Sequence, residues 1–406
     1  MPSRPGSSRP TAAALVLGAV ALLGLAGCSD DDGHAAATPT ADVALAVERA
    51  LDARAIAVRR GDVDRFERVL GGGRAFREQQ RTWYANLTQL PVERFRYRFD
   101  PASLVRDGDA YWVTVEEVLQ LEGYDEAPVV SSDRFRLAPA ANGSGRMRLV
   151  SVTDRQWEEA HDVQPQPWDL GPVDVRAGYG VLGIFDGGSL GTAGSVLTSV
   201  ESGIADVAAR VPHEWSRSVV VYALSDPAFM AGLDDVPGDD PEDLDAVSFP
   251  VGEQTRFVLN PRVLTAPSEE RDRLVRHELT HVAVGTADDH APVWLSEGIA
   301  EWVSVQPLAP EERRIPDAAL AAAVEGVPDL PADDSFNDAD SQAHYGLSWW
   351  VVEYVADAYG DDAPWTLLAA LGEPGADADQ VLRDDWGTST ADLTAQAEAM
   401  IIATYG

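Results

Sequence analysis

Two histidines four residues apart bracket a glutamate in Arg276-His277-Glu278-Leu279-Thr280-His281. On a helix that spacing puts both imidazoles on one face, one turn apart. Two ring nitrogens can then reach one zinc ion, with Glu278 beside them to act on a water at that ion. A catalytic zinc usually takes three protein ligands and a water, so His277 and His281 leave the set one short. His290 follows Asp288-Asp289 in a stretch that reads as loop and is out of register with the pair. Further on comes Trp294-Leu295-Ser296-Glu297-Gly298-Ile299-Ala300-Glu301, which offers two carboxylates at helical spacing.

The elements around these residues are legible from pattern. Ser268-Glu269-Glu270 supplies a cap and an acidic first turn for a helix over 268–285. Val275, Leu279 and Val282 form its core face and leave the histidines to point elsewhere. Further helices are expected over 292–305, 316–325, 341–359, 363–371 and 389–404. Upstream, Val173 to Val175, Gly180 to Phe185, Val219 to Leu224 and Thr255 to Asn260 read as strands, with a small-residue helix from Ser189 to Arg210. The stretch from Asp226 to Ala246 reads as a solvated loop rich in Asp and Glu, including Asp234, Asp235, Asp239, Asp240, Glu242, Asp243 and Asp245.

Trp294-Leu295-Ser296-Glu297-Gly298, placed after His-Glu-x-x-His, resembles the motif of gluzincin metallopeptidases, and of the peptidase MA-like proteins among them. The metzincin alternative wants a third His six residues after the second, where this chain has Ala287. The gluzincin resemblance implies that His277, His281 and Glu297 bind Zn²⁺. It implies that Glu278 is the general base, and that Glu301 orients the first histidine through its other ring nitrogen. Fifteen residues separate His281 from Glu297, a gap shorter than in membrane aminopeptidases, which favours the peptidase MA-like group. Thr255 to Asn260 falls where gluzincins keep an edge strand that pairs with peptide substrate, and reads equally as an ordinary sheet edge. Such sites also need a donor for the tetrahedral oxyanion. Tyr345, in Ala343-His344-Tyr345-Gly346, is preferred over His344 for that role, although Tyr345, Trp349, Val352 and Tyr359 share one helical face as core residues do.

The first half of the chain carries no comparable constellation. Arg4 and Arg9 precede an apolar run from Ala12 to Gly27 that is too short to span a membrane and ends Leu25-Ala26-Gly27-Cys28. That ending resembles a bacterial lipobox. It implies a signal peptide over 1–27, a lipid on Cys28, a tether over 28–41, and a chain held on the outer face of the cytoplasmic membrane. Cys28 is the one cysteine, so no intramolecular disulfide forms. The formal charge is −36 with no lysine at all, which argues against nucleic acid and anionic lipid as partners.

From Asp42 to Leu70 apolar residues recur at helical spacing, interrupted at Gly61-Asp62, and Arg74 to Leu90 reads as helical. Phe95, Tyr97 and Phe99 then alternate with Arg94, Arg96 and Arg98, the mark of a half-buried strand, and further strands follow to Val152. Helices followed by an antiparallel meander resemble the nuclear-transport-factor-like cone. The expected architecture is therefore α+β: an accessory domain over 42–163, a stiff extended linker at Gln164-Pro165-Gln166-Pro167-Trp168, and a zinc peptidase domain over 168–406. The expected partner is a peptide or protein substrate. The rival expectations are a non-catalytic surface-binding lipoprotein that retains the zinc site, and an assembly factor acting through 42–163.

Overall fold

The computed structural model describes residues 41–233 and 244–406. The expected leader, Cys28, nearly all of the tether, and the acidic residues from Asp234 to Asp243 lie outside the described residues. The helical spacing of the first segment builds α1, Ala41–Arg60, and α2, Val63–Val69. Asp62 caps α2 by accepting from the backbone N–H of Arg65 at 2.8 Å. After α3, Arg74–Leu87, the period changes to two. The strands β1 Val92–Phe99, β2 Val105–Asp107, β3 Ala110–Leu121, β4 Val129–Pro139 and β5 Met147–Ser151 form an antiparallel sheet ordered β1-β3-β4-β5, with β2 on β3. Phe95 and Tyr97 turn inward and Arg94, Arg96 and Arg98 outward, as the alternation requires. The helices cover the inner face, where Trp83 stacks on Phe66 and tilts against Phe95.

The expected extended linker is non-helical over Gln164 to Gln166 but enters a helical turn at Pro167. After α4, Arg155–Ala160, the residues Pro167–Leu170 form one turn, α5. Proline at the first helical position is already set to helical φ, and the turn lets Trp168 bury to 2% exposure. The Asn86 side chain holds the turn by donating to the carbonyls of Trp168 and Gly171, at 2.9 and 2.7 Å.

Beyond it run β6 Asp174–Ala177, β7 Val181–Phe185, α6 Ala193–Ala208, β8 Val219–Ala223, α7 Ala228–Ala231, β9 Ala246–Val251 and β10 Gln254–Leu259. Their sheet is mixed, in the order β6-β7-β8-β10-β9. Strands β7, β8 and β10 are parallel, while β6 and β9 are antiparallel edges. Strand β9 is absent from the sequence expectation, which stops at a loop. Gly252, at φ 66°, makes the tight turn that folds β9 back on β10. This corrects the edge-strand expectation: Thr255 to Leu259 is interior, and β9 is the edge.

One face of this sheet (Leu182, Ile184, Val220, Tyr222, Val258) shares a core with the first sheet and its helices. The other face (Val181, Phe185, Val221, Phe257) packs on the helices that follow. Across the junction Arg256 donates to Asp125 at 2.8 Å, with side chains 2% and 0% exposed, and to the Tyr222 hydroxyl at 2.8 Å. The described residues belong to a single compact unit.

The second core is helical: α8 Ser268–Val284, α9 Val293–Val305, α10 Asp317–Glu325, α11 Ser341–Tyr359, α12 Ala363–Leu371, α13 Ala378–Val381 and α14 Thr390–Tyr405. Six match the expected spans within a residue or two. The short α13, which runs into a π-helical turn over Leu382–Trp386, does not appear in the sequence pattern. Pro267, rather than Ser268, occupies the cap of α8. Tyr359 is 43% exposed, so the shared core face of α11 stops short of it. No described helix is long and apolar enough to cross a membrane.

Candidate metal centre

Helix α8 is held between α6, α9 and the edge of the second sheet, which is why nine of its residues are buried although its sequence is strongly charged. Helix α9 approaches α11 so closely that a Cβ at Gly298 would meet the Ser348 carbonyl oxygen at 2.6 Å. The glycine next to Glu297 is thus a packing requirement, and it fixes the height of Glu297 against α8.

That packing brings His277, His281 and Glu297 together. Their facing atoms form a triangle: His277 Nε2 to Glu297 Oε2 3.1 Å, His277 Nε2 to His281 Nε2 3.3 Å, and His281 Nε2 to Glu297 Oε2 3.5 Å. Tetrahedral ligands about 2.0–2.1 Å from a zinc ion are separated from one another by about 3.3–3.4 Å. The triangle therefore has the edges such an ion requires. Glu297 Oε2 is also buried without a hydrogen bond, a state that costs about 1–3 kcal/mol unless something else satisfies the oxygen. The donor set and its geometry fit zinc. Among the described residues these three are the metal-capable cluster, and His290 is exposed and outside it.

The carboxylates behind the imidazoles orient them. Glu301 Oε1 lies 3.2 Å from His277 Nδ1, and its other oxygen accepts from Arg273 Nη2 at 2.5 Å. His281 has a counterpart in Asp288, whose Oδ2 is 3.6 Å from Nδ1 and is fixed by the Ser296 hydroxyl. Burial alone would lower His277. The adjacent carboxylates of Glu297 and Glu301 outweigh burial and raise it to about 9 in the metal-free chain. His281 is also raised, against burial, by Glu297 and Asp288. Burial pushes Glu297 upward, but His281 and His277 drive it well below the carboxylate range. Glu301 falls to about 2 because Arg273 and His277 overcome its burial.

Glu278 opens into the same cavity, a space of about 270 Å³ walled by β9 on one side and Tyr345 on another. The Ser248 hydroxyl, on β9, donates to Glu278 Oε2 at 2.6 Å. The Tyr345 ring is 6.1 Å from that of His277, and its hydroxyl donates to Asn337 Oδ1 at 3.3 Å. Burial pushes this phenol well above its ordinary value, so it keeps its proton. His344 turns away, with Nδ1 2.8 Å from the Phe336 carbonyl oxygen.

The structure thus brings together His277, Glu278, His281, Glu297, Glu301 and Tyr345, and leaves His344 outside. Sequence reasoning misses Asp288 and Ser248. For Asp288 the available signal was an acidic residue one short loop after His281. Ser248 had no signal, because its strand is itself invisible in the pattern. Comparison with protein-family models finds no match to this chain, and comparison with curated proteins finds none either.

Proposed function

We propose that the protein is a zinc metallopeptidase of the gluzincin type, hydrolysing peptide bonds of a peptide or protein substrate outside the cell, anchored by lipid on Cys28. The observation that carries the reading is the ligand triangle, with edges of 3.1, 3.3 and 3.5 Å, beside a clamped glutamate in one cavity. His277, His281 and Glu297 would hold the ion. When bound, Zn²⁺ supplies Lewis acidity that polarises the scissile carbonyl and makes a water nucleophilic near neutral pH.

The remaining roles belong to the chain. Glu278 accepts the proton of the attacking water and delivers it to the leaving amine. Ser248 holds one oxygen of Glu278, which leaves the other to face the water. Glu301 and Asp288 hold the two imidazoles in the tautomer that presents Nε2. Tyr345, protonated and beside His277, donates to the oxyanion once it exchanges Asn337 for substrate.

The test is a digest of a broad peptide library by the wild type and by Glu278→Gln. Both proteins are expected to contain about one zinc per chain, with cleavage lost only in the variant. Full cleavage by the zinc-loaded variant would overturn the mechanism, and a zinc-loaded wild type without cleavage would favour a binding lipoprotein.

A further inference from the structure

The cavity of the metal centre adjoins another on the far side of the α8 C-terminus. Each has a volume of about 270 Å³, and Thr255 of β10 and Gly285 at the end of α8 wall both. Charge on the two linings is one-sided. In the metal-centre cavity Glu297 belongs to the ligand set, Glu278 is held by Ser248, and Asp288 is held by Ser296. That leaves Asp289, which is exposed on the loop between α8 and α9. In the adjoining cavity Glu126, Glu214 and Glu253 are exposed as well. Among the described residues none of these four carboxylates forms an ion pair. The one guanidinium of the two linings, Arg256, is buried against Asp125.

A third cavity, in the N-terminal half, is balanced differently. It has a volume of about 450 Å³, and Arg54 lines it together with Gln80, Glu117, Asp133 and Asp169 and acts on both Glu117 and Asp169. The two cavities at the metal centre have no such internal cation. Like charges along a cleft with low-dielectric walls focus a negative potential, which gathers cations and repels anions. The formal charge of −36 adds to that field at long range. A peptide whose bond reaches the ligand triangle lies in the first cavity, with its flanking residues beside Asp289 or directed to the second. Acidic flanking residues would meet like charge there, which is costly, while neutral ones would leave the carboxylates to water. An arginine or lysine side chain pairs with them. Resting on the peptidase reading, we propose that the substrate is a basic peptide or protein, with arginine or lysine close to the scissile bond recognised by Asp289 and, further along, by Glu253, Glu214 and Glu126.

The test uses acetylated and amidated peptides that carry arginine, or its neutral isostere citrulline, at each position in turn of an Ala-Leu background. Cleavage by the zinc-loaded wild type is read as kcat/KM, and binding to zinc-loaded Glu278→Gln is read by calorimetry. At one or more positions beside the cleaved bond, arginine is expected to be favoured about fivefold over citrulline, the upper end for one exposed ion pair. Raising the salt concentration should shrink that preference. Asp289→Asn and Glu253→Gln change exposed side chains without changing their shape. Each should bring the arginine-to-citrulline ratio close to one at the position it reads, with zinc content unchanged. Equal handling of arginine and citrulline at every position, in cleavage and in binding, overturns the proposal. So does a preference for arginine that neither variant lowers. A wild type that binds the arginine peptides selectively and cleaves none would remove the peptidase reading and keep the cation-selective cleft.

Discussion

The two polar clusters buried in this molecule differ in how their members are satisfied. At the metal centre each charged group meets another: Arg273 holds Glu301, Glu301 faces His277, and His277 and His281 both face Glu297. In the N-terminal cavity Arg54 and Gln80 end in atoms that meet nothing, and Glu117 and Asp133 are held above the carboxylate range by burial. Opposite charges gathered around one point fix a geometry for an ion, whereas carboxyls raised by burial carry their mismatch as a pH dependence of stability.

The comparison breaks most visibly if a metal ligand is removed. His277→Ala or His281→Ala should abolish stoichiometric zinc, measured by elemental analysis after dialysis, because structural zinc affinities correspond to about 10–16 kcal/mol and rest on every ligand. Next in size is the junction between the halves. Asp125→Asn leaves the Arg256 guanidinium buried beside the cavity without its counter-charge. It should cost about 3–5 kcal/mol in urea unfolding, because the uncompensated charge remains in the core. A cost under about 1 kcal/mol would mean that water reaches Arg256. Smaller still is the orienting carboxylate: Glu301→Gln should weaken zinc about 10–100-fold in a chelator competition without abolishing it.

The same contrast explains how much was legible beforehand. His277, Glu278, His281, Glu297 and Glu301 lie on two successive helices: periodicity placed the two histidines on one face, and the gluzincin resemblance supplied Glu297 and Glu301 as their partners. The helices of the second half followed the same rule. Strand β9 was invisible because Ala246 to Val251 contains Pro250 and follows an acidic run, which reads as loop until Gly252 turns it onto β10. Ser248 went with it. Arg54, Gln80, Glu117 and Asp133 come from four elements far apart in the chain, and each has an ordinary surface reading on its own. Only packing of helices on the sheet makes them neighbours, and no local spacing carries that information. Likewise Pro167-Trp168 reads as the end of an extended linker because a proline repeat dominates it, while burial of Trp168 decides its structure.

Least visible at any single pH, but most diagnostic of the N-terminal cluster, is a pH dependence of stability. Glu117 is half-buried at the cavity wall, and burial, reinforced by Asp169, raises it to about 8. The unfolded chain releases this proton in the ordinary carboxylate range, well below pH 8. Between those limits the folded state binds more protons than the unfolded one, so this group makes stability fall as pH rises, and its influence ends once pH passes about 8. Glu301 acts with the opposite sign: its depressed value adds stability above the ordinary carboxylate range, and that stability is lost as pH falls toward about 2. Glu117→Gln removes only the first contribution. Urea midpoints at saturating zinc should therefore show the variant gaining on the wild type steadily from about pH 5 to pH 8 and holding a constant lead beyond. If the two proteins run parallel across the whole window, Glu117 already has a sufficient counter-charge in the folded state.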